Sequence, residues 1–179
     1  AEETNKNLKK EIEYCQKIQS ELVTQTTKYE AIFNNTSHLI WTVNRDLKIT
    51  SFNKNYYNYI KSIFNHDLKT GEYIGSISRN TKDKIRSNFW IEKYNNFFNN
   101  KKDNKVEFFE IKNTSSKGKI YYREIFLHPI RGANGKITEI AIIGQDTTER
   151  RLSEQKIIDQ SAKLEAIFES GTQLIWTVD

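Results

Sequence analysis

Residues 120–151 read IYYREIFLHPIRGANGKITEIAIIGQDTTERR, and this stretch decides the fold. Two β-rich runs, Ile120–Ile130 and Ile137–Gly144, flank Gly132-Ala133-Asn134-Gly135, whose residue types suit a tight reversal. The runs are therefore expected to pair antiparallel. Asp146-Thr147-Thr148-Glu149 follows at once. An Asp with Glu three residues later has the logic of a capping box. The first side chain accepts from early N–H groups of a new helix, and the second reaches back. A strand should hand over to a helix here, with Asp146 as its cap.

Upstream of this stretch, Val106–Ile111 is a third β-rich run, closed by Ser115-Ser116-Lys117-Gly118. Residues 81–99 carry Ile85, Phe89, Trp90, Tyr94, Phe97 and Phe98 at spacings of three and four, a helix with a heavy aromatic face and Thr81 as its cap. Gly71 and Gly75 mark a loop with at most a short helix. Asn53 stands as an N-cap ahead of a helical run through Tyr56, Tyr59, Ile60 and Phe64. Leu39–Val43 and Lys48–Phe52 read as a hairpin about Asn44-Arg45-Asp46. The order β-β-α-α-β-β-β predicts an α+β fold, a five-stranded antiparallel sheet with helices on one face.

The flanks add a second regularity. Residues 28–44, KYEAIFNNTSHLIWTVN, recur as KLEAIFESGTQLIWTVD at 163–179, a constant offset of 135 residues. A repeat of that period is domain-sized. The sequence is thus expected to hold a helix over 1–30, a domain over 31–146, a connector helix over 147–169 and the opening of a second domain over 170–179. Leu8, Ile12, Cys15, Leu22 and Tyr29 fall on a heptad stripe, interrupted by Gln19 and Thr26, and Ile157 and Leu164 continue its phase beyond the domain. These spacings predict coiled-coil-type helices that pair two copies of the chain. A surface helix packed on its own domain is the alternative. Leu174–Val178, a strand by analogy with the first copy, would have no sheet of its own; disorder, helix or packing on another chain are its outlets.

Composition narrows the function. A 12% aromatic content fits a globular core, while the +5 charge is spread along the chain with Asp and Glu interleaved, a solvated surface rather than a nucleic-acid face. No apolar run is long enough to span a bilayer. Cys15 is the single cysteine, which excludes an internal disulfide and fits a reducing, cytoplasmic setting. No nucleophile–base pair, phosphate loop or metal-spaced cluster is present, and His38, His66 and His128 stand apart from each other and from acidic partners. Catalysis is not expected of this chain.

The closing motif resembles the end of a PAS domain: His128-Pro129-Ile130-Arg131, Gly135-Lys136-Ile137, then Gly144-Gln145-Asp146-Thr147-Thr148-Glu149-Arg150-Arg151, with Thr147 where Ile or Val is usual. Ala31-Ile32-Phe33, Trp41-Thr42-Val43-Asn44 and Asn53 are similar to the entry of that family, so the resemblance covers about residues 28–151. It implies a sensory or dimerisation module of a multidomain signalling protein such as a sensor histidine kinase, with neighbouring PAS and output domains. It also implies a sheet cupped around a pocket. Matching strands to the family pattern, the pocket would be faced by Trp41, Val43, Phe109, Ile111, Asn113, Ile125, Leu127, Ile140, Ile142 and Gly144, with Tyr56, Ile60, Trp90 and Tyr94 as a helical lid. The interior is then either self-packed by Trp41, Phe109, Trp90 and Tyr94 or holds a small ligand. The resemblance excludes the best-known cofactors: Cys15 lies in the entry helix, Gly144 replaces the flavin-contacting Gln, and 81–99 has no haem-ligating His. Asp146, Thr148, Glu149 and Tyr122 are expected to couple the sheet to the outgoing helix. The competing reading is a structural dimerisation spacer between PAS modules, without a ligand of its own.

Overall fold

The computed structural model describes residues 2–77, 81–99, 105–114 and 120–175. Helix α1 (Glu2–Asn35) leads into strands β1 (Leu39–Asn44) and β2 (Ile49–Phe52), helix α2 (Lys54–Phe64), a 3-10 turn (Ile74–Ile77) and helix α3 (Thr81–Asn99). Strands β3 (Glu107–Thr114), β4 (Ile120–Arg131) and β5 (Ile137–Asp146) follow, and helix α4 (Thr148–Ile175) leaves. The strands form one antiparallel sheet in the order β2-β1-β5-β4-β3, so the expected element order and α+β class hold.

This order places the last strand at the centre, between the first hairpin and β4. Side chains alternate across the sheet. Trp41 pairs with Ile142, Val43 with Ile140, and Leu127 with Ile142. These residues share the inner face, where Val43, Leu127, Ile140 and Ile142 have no exposed surface. They are the floor of the core, and burying each such side chain contributes about 1.5–3 kcal/mol.

One polar residue ties the layers together. Asn53 is fully buried at the N-cap of α2. Its Oδ1 accepts from Tyr56 N at 2.9 Å and Ile40 N at 3.1 Å, while Nδ2 donates to Phe33 O at 3.0 Å and His38 O at 2.9 Å. Every hydrogen-bonding site of the amide that faces inward is thereby used. The end of α1, the start of β1 and the start of α2 meet on one side chain. The hairpin before it closes on Asn44, whose Oδ1 accepts from Asp46 N and Lys48 N, with Leu47 at φ 57. At the β4–β5 turn Gly135 has φ 73, a conformation glycine adopts without strain.

The aromatic face of α3 differs from the sequence reading. Tyr94, Phe97 and Phe98 are buried and Trp90 partly so, but Ile85 and Phe89 are exposed. Positions 86, 87, 90, 91, 94, 97 and 98 follow one three-four rhythm, and 85 and 89 fall beside it. The flanking helices are exposed along their length: on the heptad stripe, Leu8, Ile12, Leu22 and Tyr29 of α1 and Ile157 and Leu164 of α4 all face solvent in the single chain. Helix α4 continues through Ile175, so the start of Leu174–Val178 is helical where its counterpart in the first copy is strand β1; residues 176–179 lie outside the described residues. Among the described residues no helix is long and apolar enough to cross a membrane.

Candidate functional site

A partly open cavity of about 110 Å3 lies between the inner face of the sheet, α2, the 3-10 turn and α3. The sheet contributes Leu39, Trp41, Ile111, Arg123 and Ile125; α2 contributes Tyr56, Tyr59, Ile60 and Phe64. Ile74 and Ile77 come from the 3-10 turn, and Arg86, Ser87, Trp90 and Tyr94 from α3. Of the residues expected to face a pocket, the structure therefore brings together Trp41, Tyr56, Ile60, Trp90, Tyr94, Ile111 and Ile125.

The others lie elsewhere. Val43, Leu127, Ile140 and Ile142 share the inner face but sit in the solid core, because the central strand is covered by close-packed side chains rather than by open space. Phe109 packs edge-on against Trp90, with ring centroids 5.9 Å apart, and backs the cavity rather than lining it. Gly144 is buried beneath it: a Cβ there would meet Ile125 Cδ1 at 3.1 Å and Arg123 Cδ at 3.6 Å. The absent side chain leaves room for the Arg123 stem to cross the sheet. Asn113 pairs with Tyr121 in the β3–β4 ladder, and its side chain lies outside the described residues.

The sequence reading missed Arg86 and Arg123. Parity carried the signal, since Arg123 is two residues before Ile125 and Arg86 one helical turn before Trp90. Both were passed over because cations are rarely counted toward an aromatic interior. Among the described residues the lining holds these two guanidinium groups and no carboxylate. Arg123 stacks over the Tyr59 ring at 4.6 Å, and its buried Nε has no hydrogen-bond partner among the described residues.

The aromatic lining is ordered by stacking. Trp41 lies on Tyr56 with centroids 4.2 Å apart and planes within 12°, and Trp90 stacks on Tyr94 at 5.9 Å. Burial pushes the Tyr56 phenol well above its ordinary pKa, with the nearby Tyr94 and Tyr59 adding to the rise. Burial also pushes Tyr94 up; the Trp41 indole N–H leans toward its hydroxyl and works against the rise. That N–H stops short of hydrogen-bond geometry, so buried Trp41 Nε1 is a donor without a partner among the described residues. Both phenols stay neutral at physiological pH, as desolvation requires. Among the described residues no group of His, Cys, Asp and Glu gathers as a metal site.

Solved structures share the fold of this chain. The PAS domain of BvgS from Bordetella pertussis superposes with a TM-score of 0.54 at 16% identity, over 79% of this chain and 98% of that one. The fold is that of a PAS domain. The phage VqmA–DPO complex matches with a TM-score of 0.55 at 9% identity, over 80% of this chain and 62% of that one. The Vibrio cholera VqmA–ligand–DNA complex matches with a TM-score of 0.52 at 11% identity, over 68% of this chain and 51% of that one. No family model and no curated protein matches the chain.

The exit of the PAS sheet differs in detail from the expected capping box. Arg151 N donates to Thr147 O at 2.9 Å, which makes Thr147 the N-cap of α4 and places Asp146 one residue earlier. Asp146 Oδ1 still accepts from Thr148 N at 2.9 Å, two residues on rather than three. No bond from Glu149 back to Asp146 occurs among the described residues; the extra residue of the Asx-type turn carries Glu149 out of register for it. Tyr122 meets the junction through its main chain: Thr147 N donates to Tyr122 O at 3.0 Å, and Tyr122 N donates to Thr148 Oγ1 at 2.9 Å. Arg150 and Arg151 then pair with Glu124 of β4 and Glu110 of β3. The root of α4 is thereby bound to the side of the sheet formed by β4 and β3.

The histidines stay apart from the cavity. His38 Nδ1 shares a hydrogen with Thr36 Oγ1 at 2.7 Å. His66 does have an acidic partner, contrary to the sequence reading: Glu72 lies 2.7 Å from Nε2, brought there by the loop before the 3-10 turn.

Proposed function

We propose that this chain is a sensory relay module of a multidomain signalling protein, of the sensor histidine kinase type. In this reading a small ligand occupies the cavity and its effect passes along α4. The observation that carries the reading is the position of Arg123. It lines the cavity, and its direct cross-strand partner is Asp146, which holds the first N–H of α4. A change at the cavity thus lies one cross-strand neighbour away from the residue that holds the output helix. The module itself performs no chemistry in this reading. The ligand is neither flavin nor haem, since about 110 Å3 is well below the roughly 300–1,000 Å3 that larger ligands occupy.

We also propose that two copies associate through the flanking helices, as a cytoplasmic dimer that contacts neighbouring PAS and output domains and neither nucleic acid nor membrane. The apolar stripe of α1, exposed in the single chain, supports this. The same stripe favours a second reading, a dimerisation spacer with no ligand. Native mass spectrometry of the purified chain, with thermal-shift screening of a metabolite library, separates the two. Bound mass or a reproducible shift is expected; bare protein with no shift leaves only the spacer.

A further inference from the structure

Resting on the reading that the cavity holds a ligand, we propose that this ligand is a small single-ring carboxylate, its anionic end held at the mouth by Arg123 and Arg86. The argument begins with the polar groups of the cavity that lack partners. Trp41 Nε1 and Arg123 Nε are buried without a hydrogen-bond partner among the described residues, and both are donors. Both atoms are covered by neighbouring side chains, so an acceptor in the cavity reaches them only after a small side-chain shift, and a carboxylate is acceptor only. A buried donor left unpaired is costly, so the empty cavity is the less favourable state.

Charge narrows the class further. Arg86 and Arg123 line the cavity and no Asp or Glu does among the described residues, which repels amines and favours anions. Arginines of α4 meet glutamates of the sheet: Arg150 pairs with Glu124, and Arg151 with Glu110. Arg123 does not. Its described neighbour is the Tyr59 ring, and the carboxylate of Asp146 across the strand is engaged by Thr148 N. The cation is held in place by stacking on the Tyr59 ring.

Size and shape complete the description. An enclosed cavity of about 150 Å3 holds benzene. The space here is about 110 Å3 but open on one side, so one ring enters only if its substituent projects through the mouth. The stacked Trp41–Tyr56 pair and Trp90 offer flat apolar walls to such a ring. Arg86 is exposed and able to follow the carboxylate at the rim.

The test uses the full 179-residue chain with benzoate and its neutral isostere benzamide as probes. Binding is followed by the indole N–H resonance of Trp41 and by calorimetry. Benzoate is expected to shift that resonance and to bind at least about tenfold more tightly than benzamide, the factor a charge-assisted bond supplies. Arg123→Gln and Arg86→Gln should each weaken benzoate binding more than benzamide binding and so remove most of that preference. Arg86 is an exposed helix residue, so its variant reports even where Arg123→Gln lowers stability. Equal binding of the two probes, or a preference that survives both substitutions, overturns the carboxylate assignment but leaves the cavity as a ligand site. Failure of both probes to perturb Trp41 at millimolar concentration overturns the ligand site as well.

Discussion

Arg123 of β4 and Asp146 of β5 are direct cross-strand partners on the inner face of the sheet, yet their side chains serve different elements. Arg123 turns onto Tyr59 of α2 and the cavity, while Asp146 turns away to the first N–H of α4. The pair stands where ligand space and output helix adjoin. Opposite charges side by side in a ladder normally attract. Here each is diverted, so anything that redirects Arg123 alters the field at the base of α4.

The first prediction concerns that base. Asp146→Ala removes the side chain that accepts from Thr148 N and is expected to cost about 1 kcal/mol, the ordinary value of a helix-start acceptor. The sheet should be untouched, because Thr147 and Thr148 remain bound to the Tyr122 main chain. Hydrogen exchange should accelerate at the first turn of α4 and not in β4 or β5. Uniform acceleration through the sheet would contradict this.

Asn53 should be far less tolerant. Asn53→Ala deletes four hydrogen bonds of a fully buried amide and is expected to cost about 3 kcal/mol in urea denaturation. Asn53→Asp keeps the two acceptor contacts but turns an oxygen toward the Phe33 and His38 carbonyls, so it should be at least as damaging. A loss below about 1 kcal/mol for either would remove Asn53 from its place as the tie between α1, β1 and α2.

Most of the architecture was legible because it rests on local signals. Asn53, the Gly132–Gly135 turn and the alternation in β4 and β5 each state their own geometry, and the expected β-β-α-α-β-β-β order formed. The cavity was legible only in part. Parity told which side chains face inward, including Val43 and Ile140, but not where that inner face is packed solid. That depends on how far α3 stands from the sheet, a long-range distance that no periodicity encodes. Arg86 and Arg123 were missed for a different reason: their parity was readable, but a cation on an apolar face reads as an exception until the space beside it is seen. At the exit, the spacing of Asp146 and Glu149 pointed to a box, and the Thr147–Tyr122 bond shifted the helix start by one residue.

Thr147 offers a gain. Its side chain is buried and its hydroxyl has no partner among the described residues. Thr147→Val keeps the shape and removes the unsatisfied oxygen, so it should stabilise the domain by about 1 kcal/mol. An increase in melting temperature checks this; a decrease would mean that the hydroxyl contributes to the junction.

The flanking helix supports a test of association. Leu22 is 61% exposed in the single chain, so Leu22→Glu should leave the domain's own stability unchanged. In the proposed dimer it would sit in the seam, where a buried carboxylate without a partner is strongly disfavoured. Light scattering after size exclusion should report a dimer for the natural sequence and a monomer for the variant. A natural chain that is monomeric at high micromolar concentration would end the paired-helix reading.

The alkaline limb of stability should carry the signature of the cavity. The folded-state pKa values of Tyr56 and Tyr94 are both raised, chiefly by burial. A raised folded value means that the unfolded chain loses these protons first, near pH about 10. The contribution of each phenol is therefore fully present below that pH and is lost as pH climbs above it toward the folded value. Phenolate absorbance from these two residues should appear only together with loss of the fold. Tyr56→Phe and Tyr94→Phe should each remove part of that late amplitude and make stability less sensitive to alkali. Phenolate formation at both positions in the intact domain near pH 10 would show that water reaches them freely, which the stacked Trp41–Tyr56 wall does not allow.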